Sequence, residues 1–334
     1  MSALLQQIDN RPFLSIILPV YNVAQYIPRM MKGLLDPILP HKAIEIIFID
    51  DCSPDNCSEI IQQYSTKHPN IRLIRHSYNK KMGGARNTGL RAARGEYIFF
   101  ADPDDELISE DFNKALDHLR VCTQKLDILM CDHKCTGRNH LIYAANNQSV
   151  MTGYDFLKKN EVFWAVWCCF FRREFLINSK YYFEENIFFE DTIWSLKTLT
   201  AAKKIQYLPL SIYYYHHNEG SVCFSKPTCT RTIDKIKCAI NVSEFAEDNN
   251  HSEESKRILR SHGQLLVKIA TKSLLHHSFS ERNRILKTVR TPKAISIAQT
   301  SGGLLKYIIH YRYTVNLFMC FISPLISLRN LCKK

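Results

Sequence analysis

Four short apolar runs limit this chain more than any other feature of its sequence, because each closes on polar or acidic residues and each leads into a segment of helical spacing. They are "FLSIILPVYN" (13–22), "AIEIIFIDD" (43–51), "IRLIRHS" (71–77) and "EYIFFAD" (96–102). Runs of β-branched and aromatic residues stopped by Pro, Asn or Asp read as buried strands. Between them, "VAQYIPRMMKGLL" sets Ile27, Met30, Met31, Leu34 and Leu35 on one helical face, "SEIIQQYSTKH" is expected to start at a Ser cap, and "GGARNTGLRAARG" is helical in pattern. Alternation at this interval predicts a parallel, doubly wound α/β sheet, whose ligands bind outside the carboxyl ends of the strands. Those ends carry Tyr21 and Asn22, then Asp50 and Asp51, then Asp102, Asp104 and Asp105.

Downstream the pattern is mixed. "LDILMCDH" and "KIQYLPLSIYYYH" read as strands, "SVMTGYDFLKKN" and "FFEDTIWSLKTLTAAKK" as helices, and beyond about residue 227 the chain turns helical and basic. The predicted boundary lies at 225/226. A length of 334 residues, 46% of them hydrophobic, is enough for a cleft enzyme rather than a binding module alone. The net charge of +12 is confined to the end: from residue 251 onward 15 Lys and Arg face 3 Asp and Glu, whereas residues 1–250 balance at 29 against 29. The 12 cysteines are scattered, with Cys168 and Cys169 adjacent and Cys131 and Cys135 the nearest approach to a metal-binding pair, a pattern of reduced intracellular thiols. There is no charged start followed by an apolar leader and no run of about 18 apolar residues, so neither secretion nor membrane spanning is expected.

Carboxylates on a short turn are suited to a divalent cation, magnesium or manganese, that keeps open positions for phosphate oxygens. Asp102 and Asp104, with a stiffening proline between them, can point the same way; "DDELISEDF" also opens a helix, and acidic residues suit a helix N-terminus. In "NIFFEDTIW" (186–194) the pair Glu190 and Asp191 stands among aromatics, where desolvation raises a carboxyl pKa toward that of a working base; alternatively the pair caps the helix that follows.

"PVYN", "IDDCSPD", "GGARNTGL" and "FFADPDD" follow one another in this order within about 90 residues, and in this the chain resembles the family 2 glycosyltransferases of the GT-A fold. The resemblance is strong over residues 13–110 and looser over 111–225, and does not reach the tail. It implies a GT-A, doubly wound mixed sheet flanked by helices, to which the chain's own pattern adds a basic, mostly helical C-terminal extension at 226–334. It implies a nucleotide-sugar half at about 13–110 and an acceptor half at about 111–225. Pro19 and Tyr21 would line the base pocket, Asp51 would accept the imino hydrogen of the base, and Arg86 would lie near the nucleotide and its phosphates. Asp102 would reach the ribose side, with Asp104, and Asp102 beside it, at the metal. The aspartate of the family's Glu-Asp pair, here Asp191, would be the base that takes the proton of the acceptor hydroxyl, with Glu190 next to it. Stacking by an aromatic and recognition of an N–H donor by a carboxylate are sensible roles for these residue types.

"YYYHHNEGSV" (213–222) resembles the family segment that folds over the diphosphate, which makes His216 and His217 candidates for phosphate or metal contact or for simple solvation; Asp105 is left between the acceptor side and a helix cap. Arg172 and Arg173 fit either acceptor binding or structure. Cys52 and Lys81 depart from the pattern, standing where the family commonly has glycine. The Gln-x-x-Arg-Trp signature of processive synthases is missing, which implies transfer of a single sugar, most naturally from a UDP-sugar to a cell-surface glycan or lipid-linked acceptor.

Residues 304–334 combine an apolar run, tyrosines and flanking Lys and Arg. The run Tyr313 to Leu328 is 16 residues long, carries Asn316 and is broken by Pro324, so it is short for a span and suits the headgroup plane of an anionic membrane, at the cytoplasmic face; a helical cap or an oligomer contact is the alternative. Nucleic acid is not an expected partner, since neither an RNA-binding aromatic pattern nor zinc-finger spacing is present. A silent scaffold that retains the fold and a nucleotidyltransferase are the rival readings; the intact carboxylates speak against the first, and the lack of a glycine-rich basic loop after the first strand against the second.

Overall fold

A computed structural model describes residues 11–35, 43–135, 138–140, 149–160, 165–218 and 225–301. Internal contacts divide the chain into two compact units, with the division between residues 219 and 220.

The first unit opens with strict alternation: β1 (Leu14–Val20), α1 (Ile27–Leu35), β2 (Ile44–Asp50), α2 (Cys57–Lys67), β3 (Ile71–Arg75), α3 (Lys81–Ala92) and β4 (Tyr97–Phe100). It continues through β5 (Glu106–Leu107), α4 (Ser109–Val121), β6 (Ile128–Cys135), β7 (Arg138–His140), α5 (Gly153–Lys159), β8 (Cys169–Arg172), α6 (Arg173–Ser179), α7 (Glu190–Ala201) and β9 (Ile205–Tyr215). The sheet order is β3-β2-β1-β4-β8-β6-β9-β5, with β7 on β6. The strands from β3 to β4 are parallel; β8 then runs antiparallel to both β4 and β6, β9 lies parallel to β6, and β5 pairs antiparallel with β9. The wholly parallel pattern thus holds for the first four strands and gives way to the mixed sheet of the GT-A class.

Every residue of β1 and β2 is buried, which is why both read as continuous apolar runs rather than alternating ones: helices cover both faces of this half. On one face Met30, Met31 and Leu34 of α1 and Phe112 of α4 join Ile16, Leu18, Phe48 and Phe99 in a single core, at about 1.5–3 kcal/mol for each side chain fully removed from water. On the other face Gly89 of α3 packs so closely on β1 that a Cβ there would meet Ile17 Cγ2 at 2.3 Å.

The order of the strands reverses at β1, which has β2 on one side and β4 on the other, and the sheet's topological switch point therefore lies between β1 and β4. Their pairing stops at Ile17 and Phe100, with Ala101 N–H donating to Ile17 O at 3.0 Å. Continuing the parallel pattern would need an N–H on Pro19 and another on Pro103, and neither residue has one. Two prolines thus end the ladder where the acidic turn begins.

Two local expectations are corrected. α2 begins at Cys57 behind Asn56, with no side-chain cap, and Ser58 inside it donates to Asp50 instead. The acidic turn does not open a helix: β5 intervenes, and α4 starts at Ser109 behind Ile108, so the helix-cap reading of Asp102 and Asp105 falls.

The second unit is helical over its described residues, with α8 (Cys229–Ala246), α9 (Glu253–Leu274), α10 (Phe279–Val289) and α11 (Pro292–Ser301). Thr228, Ser252 and Ser278 cap the first three, Ser278 in a reciprocal box with Glu281. Among the described residues no helix is long and apolar enough to cross a membrane, and no disulfide joins the described cysteines. The segment 304–334, on which the membrane-docking expectation rests, lies outside the described residues.

Candidate active site

The carboxyl ends of β1, β2 and β4, the N-termini of α3 and α7 and the end of β9 supply the site, all within the first unit. The Asp50 and Asp51 pair divides its work. Asp50 accepts from Ser53 N (2.9 Å), from the Ser58 hydroxyl and from Arg75 Nε (3.3 Å), and so braces the turn after β2. Asp51, buried, turns the other way: its Oδ1 accepts from Lys80 N (2.8 Å) and meets His76 Nδ1 at 2.7 Å. His76 reaches on to Thr88 Oγ1 of α3 at 2.9 Å. Both contacts of Asp51 fall on Oδ1, which leaves Oδ2 for a ligand N–H. Tyr21 stands at the end of β1 with 48% of its surface exposed, so its ring is available for stacking, while Pro19 is buried in the strand.

Backbone strain collects along this edge. Asn22, Cys52, Lys81, Asn186 and Phe189 all have φ between 56° and 64°, the left-handed region that non-glycine residues enter only when surroundings enforce it. Cys52 and Lys81, where glycine was the expected residue, thus keep the glycine backbone with a side chain. Phe189 holds it immediately before Glu190.

Arg86 is the centre of the site. Only 4% exposed, it places Nη2 3.1 Å from Asp102 Oδ1 and Nη1 2.5 Å from Glu190 Oε1, so one guanidinium joins the acidic turn after β4 to the start of α7. Arg86, expected near the nucleotide and its phosphates, is held by two carboxylates of the protein. Phe183, stacked on Trp194 at 4.2 Å, lies 5.5 Å from its guanidinium carbon. The rest of "GGARN" binds the same region: Asn87 exchanges hydrogen bonds with the Phe183 backbone at 2.9 Å both ways, and a Cβ on Gly83 would lie 2.2 Å from Glu184 O. Only glycine allows that approach.

On the acidic turn, Asp102 N–H donates to the Tyr213 hydroxyl at 2.9 Å, and Asp104 Oδ2 accepts from Asn218 Nδ2 at 3.0 Å, while its carbonyl accepts from Arg29. Asp105 is buried, with Oδ1 accepting from His216 N at 2.8 Å; His216 Nε2 meets Glu106 Oε1 at 3.0 Å, and His217 is exposed. Asp105 therefore anchors the end of β9 rather than facing solvent. Burial, reinforced by the Asp102 charge, pushes Asp104 above the ordinary carboxylate range, and burial with the charges of Asp102 and Asp104 pushes Asp105 up to about 8. A concentration of carboxylates held above their ordinary pKa suits a divalent cation, which would favour their ionised forms.

Burial likewise raises Glu190, against the opposing charge of Arg86. Asp191 beside it is pushed up to about 7, by burial and then by the Glu190 charge. Arg172 and Arg173, by contrast, sit at the far end of the sheet, where Arg172 is in register with Tyr97 and binds Asp127 at 2.6 Å and Arg173 Nε donates to Ala93 O at 2.8 Å. Their part is structural. Sequence reasoning passed over His76, Asn87, Tyr213 and Asn218; each lay in a segment it singled out, but partners from 12 to 114 positions away give them their place.

The family model for glycosyl transferase family 2 matches residues 15–180. The uncharacterised glycosyltransferase EpsJ of Bacillus subtilis (strain 168) is 32% identical over 221 residues, 63% of each chain, so the match spans slightly less than two thirds of that relative. A poly(ribitol-phosphate) beta-glucosyltransferase of Bacillus spizizenii is 39% identical over 98 residues, 29% of this chain and 16% of its own length. Among solved structures, S. aureus TarS 1–349 in complex with UDP-GlcNAc superposes with a TM-score of 0.73 at 18% identity, covering 95% of this chain and 92% of that one, a likeness of fold. With its ordered motifs on the strand ends of this sheet, the chain belongs to glycosyltransferase family 2.

Proposed function

We infer that the protein is an inverting glycosyltransferase that moves one sugar from a nucleotide-sugar, in our reading a UDP-sugar, to an acceptor hydroxyl of a glycan or lipid-linked precursor in cell-surface glycan synthesis. The observation that carries the reading is the Arg86 bridge, which joins the acidic turn at the switch point to Glu190, the neighbour of Asp191 with its raised carboxyl. Support for the donor comes from the exposed Tyr21 ring, the open Oδ2 of Asp51 and the UDP-GlcNAc bound by TarS. Support for the acceptor class comes from the poly(ribitol-phosphate) beta-glucosyltransferase relative.

In this reaction Asp191 takes the proton from the acceptor hydroxyl as its oxygen bonds to the anomeric carbon; the bond from that carbon to the diphosphate breaks, and the electron pair leaves with the nucleoside diphosphate. The Glu190 charge raises the Asp191 carboxyl and the Arg86 charge opposes it, so the pair sets when Asp191 can accept the proton. Asp104, with Asp102 beside it, would hold a magnesium or manganese ion, which when bound supplies positive charge against the leaving diphosphate. The basic 251–334 segment would dock the protein peripherally on the inner face of an anionic membrane.

Replacing Asp191 by Asn tests the assignment. Transfer should fall by about 10²–10⁴-fold, the usual share of a general base, with donor affinity little changed; turnover near that of the wild type would refute it.

A further inference from the structure

Within the helical unit, three side chains of different chemistry face one another with no role in the reaction above. Cys229 is the first residue of α8, His277 precedes α10 and Glu281 lies in its first turn. Cys229 Sγ is 3.9 Å from His277 Nδ1 and 3.8 Å from Glu281 Oε1, and His277 Nδ1 is 3.9 Å from Glu281 Oε2. We propose that Cys229, His277 and Glu281 form a binding site for a borderline-soft divalent cation of the zinc type, which clamps the start of α8 to the start of α10.

Three features separate this cluster from a chance meeting of polar groups. First, one ligand atom from each residue lies within 4.8 Å of the others. Metal–ligand bonds of about 2.0–2.3 Å in a tetrahedron give edges of about 3.3–3.8 Å, so side-chain shifts of up to about 1 Å close the set. Second, the imidazole is aimed. His277 is 7% exposed, and its Nε2 is held by Thr232 Oγ1 at 2.8 Å, which turns Nδ1 toward the thiol and the carboxylate. An outer hydrogen bond on the second ring nitrogen is the usual way a protein orients a ligating histidine. Third, Glu281 is aimed too: its Oε2 accepts from Ser278 N and Ser278 Oγ, both at 2.8 Å, and its Oε1 faces the sulfur.

The donor set selects the ion. Thiolate, imidazole and one carboxylate suit zinc or cobalt, whereas the all-oxygen turn at Asp102 and Asp104 suits magnesium or manganese. Arg284 Nη2 lies 3.4 Å from Cys229 Sγ, on the exposed side of the cluster. Cys229 and Glu281 are partly exposed, so a fourth position is within reach of water. Thr232, Ser278 and Arg284 are the groups that touch the three ligands from outside.

The test uses the full chain, stripped with a chelator and titrated with cobalt(II). The expected result is one ion per chain, with a thiolate-to-cobalt charge-transfer band in the near ultraviolet and the intense visible bands of four-coordinate cobalt, all displaced by one equivalent of zinc. Cys229→Ser should abolish the charge-transfer band, and Glu281→Gln, which keeps the capping contacts, should weaken zinc binding at least tenfold. Asp104→Ala should leave the band unchanged, which separates this site from the acidic turn. Zinc should raise the melting temperature of the wild type by several degrees and that of Cys229→Ser by none. Absence of a thiolate band in the wild type, or a band of equal affinity in Cys229→Ser, overturns the proposal; circular dichroism of Cys229→Ser verifies that the variant is folded.

Discussion

At Asp191, three effects fix when the carboxyl can work: burial and the Glu190 charge raise it to about 7, and the Arg86 charge opposes them. A base acts in its ionised form, so kcat/KM should rise with pH, close to tenfold per unit below about 7, and level off above it; a profile flat from pH 5 to 8 would exclude Asp191 as the base. The stability change has the opposite sign. A folded pKa above the unfolded value of about 3.9 means that the native state holds its proton longer, so this contribution is full below pH 4 and is lost as pH rises through 7. Asp191→Asn should therefore melt above the wild type at pH 8, with the gap closing toward pH 4. Arg86→Met should shift the rising limb of the rate profile by more than one unit to higher pH, because the counter-charge for Glu190, Asp102 and Asp191 is gone. It should also destabilise the fold by about 3–5 kcal/mol, the cost of breaking a buried ion pair on one side. A loss of stability with no shift of the limb would reduce Arg86 to a structural part.

The element that organises the site is α3. Its apolar content is low and its first turn holds Lys81, Gly83 and Gly84, yet this helix carries Arg86 and Asn87 to the 183–190 segment and lays Gly89 against β1. Gly83→Ala should push that segment away, since the added carbon meets the Glu184 carbonyl; the expected cost is about 1–3 kcal/mol, with a drop in kcat as Glu190 and Asp191 are displaced, measured by denaturant unfolding and by turnover. A variant equal to the wild type in both would show that the contact relaxes freely. β1, β2 and β4 were readable because burial on both faces leaves an apolar run that ends where polar residues begin. β5 was not readable: it is two residues long and exists only because Glu106 and Leu107 lie in register with Tyr214 and Tyr213 of β9. The Ser cap expected for α2 failed for a related reason, since Asp50 draws the Ser58 hydroxyl away from the helix end.

Across the whole molecule, charge separates by sequence position, balanced through residue 250 and strongly positive after it. The full chain should sediment with vesicles containing anionic lipid and be released by high salt, given on the order of 1 kcal/mol per basic residue near such a surface; equal binding to neutral vesicles would argue against an electrostatic dock. Donor binding should be legible in thermal stability, with a UDP-sugar at 100 times its Kd adding about 2.7 kcal/mol in the presence of manganese. Asp104→Ala should lose the manganese-dependent part of that gain, and retention of the full gain would move the metal elsewhere. The sequence by itself determined the order of the first four strands and the helices between them, the family, the acidic turn, the Glu-Asp pair and the basic tail, because apolar runs and motif spacing are local properties of a chain. Only the tertiary structure decided how the carboxylates share their work: that Asp50 braces the turn while Asp51 turns the other way to His76 and Lys80, that Asp105 anchors β9, and that Arg86 joins two acids. Those roles depend on burial and on partners up to 111 positions away, and a buried charge takes its pKa and its purpose from the neighbours that folding brings to it.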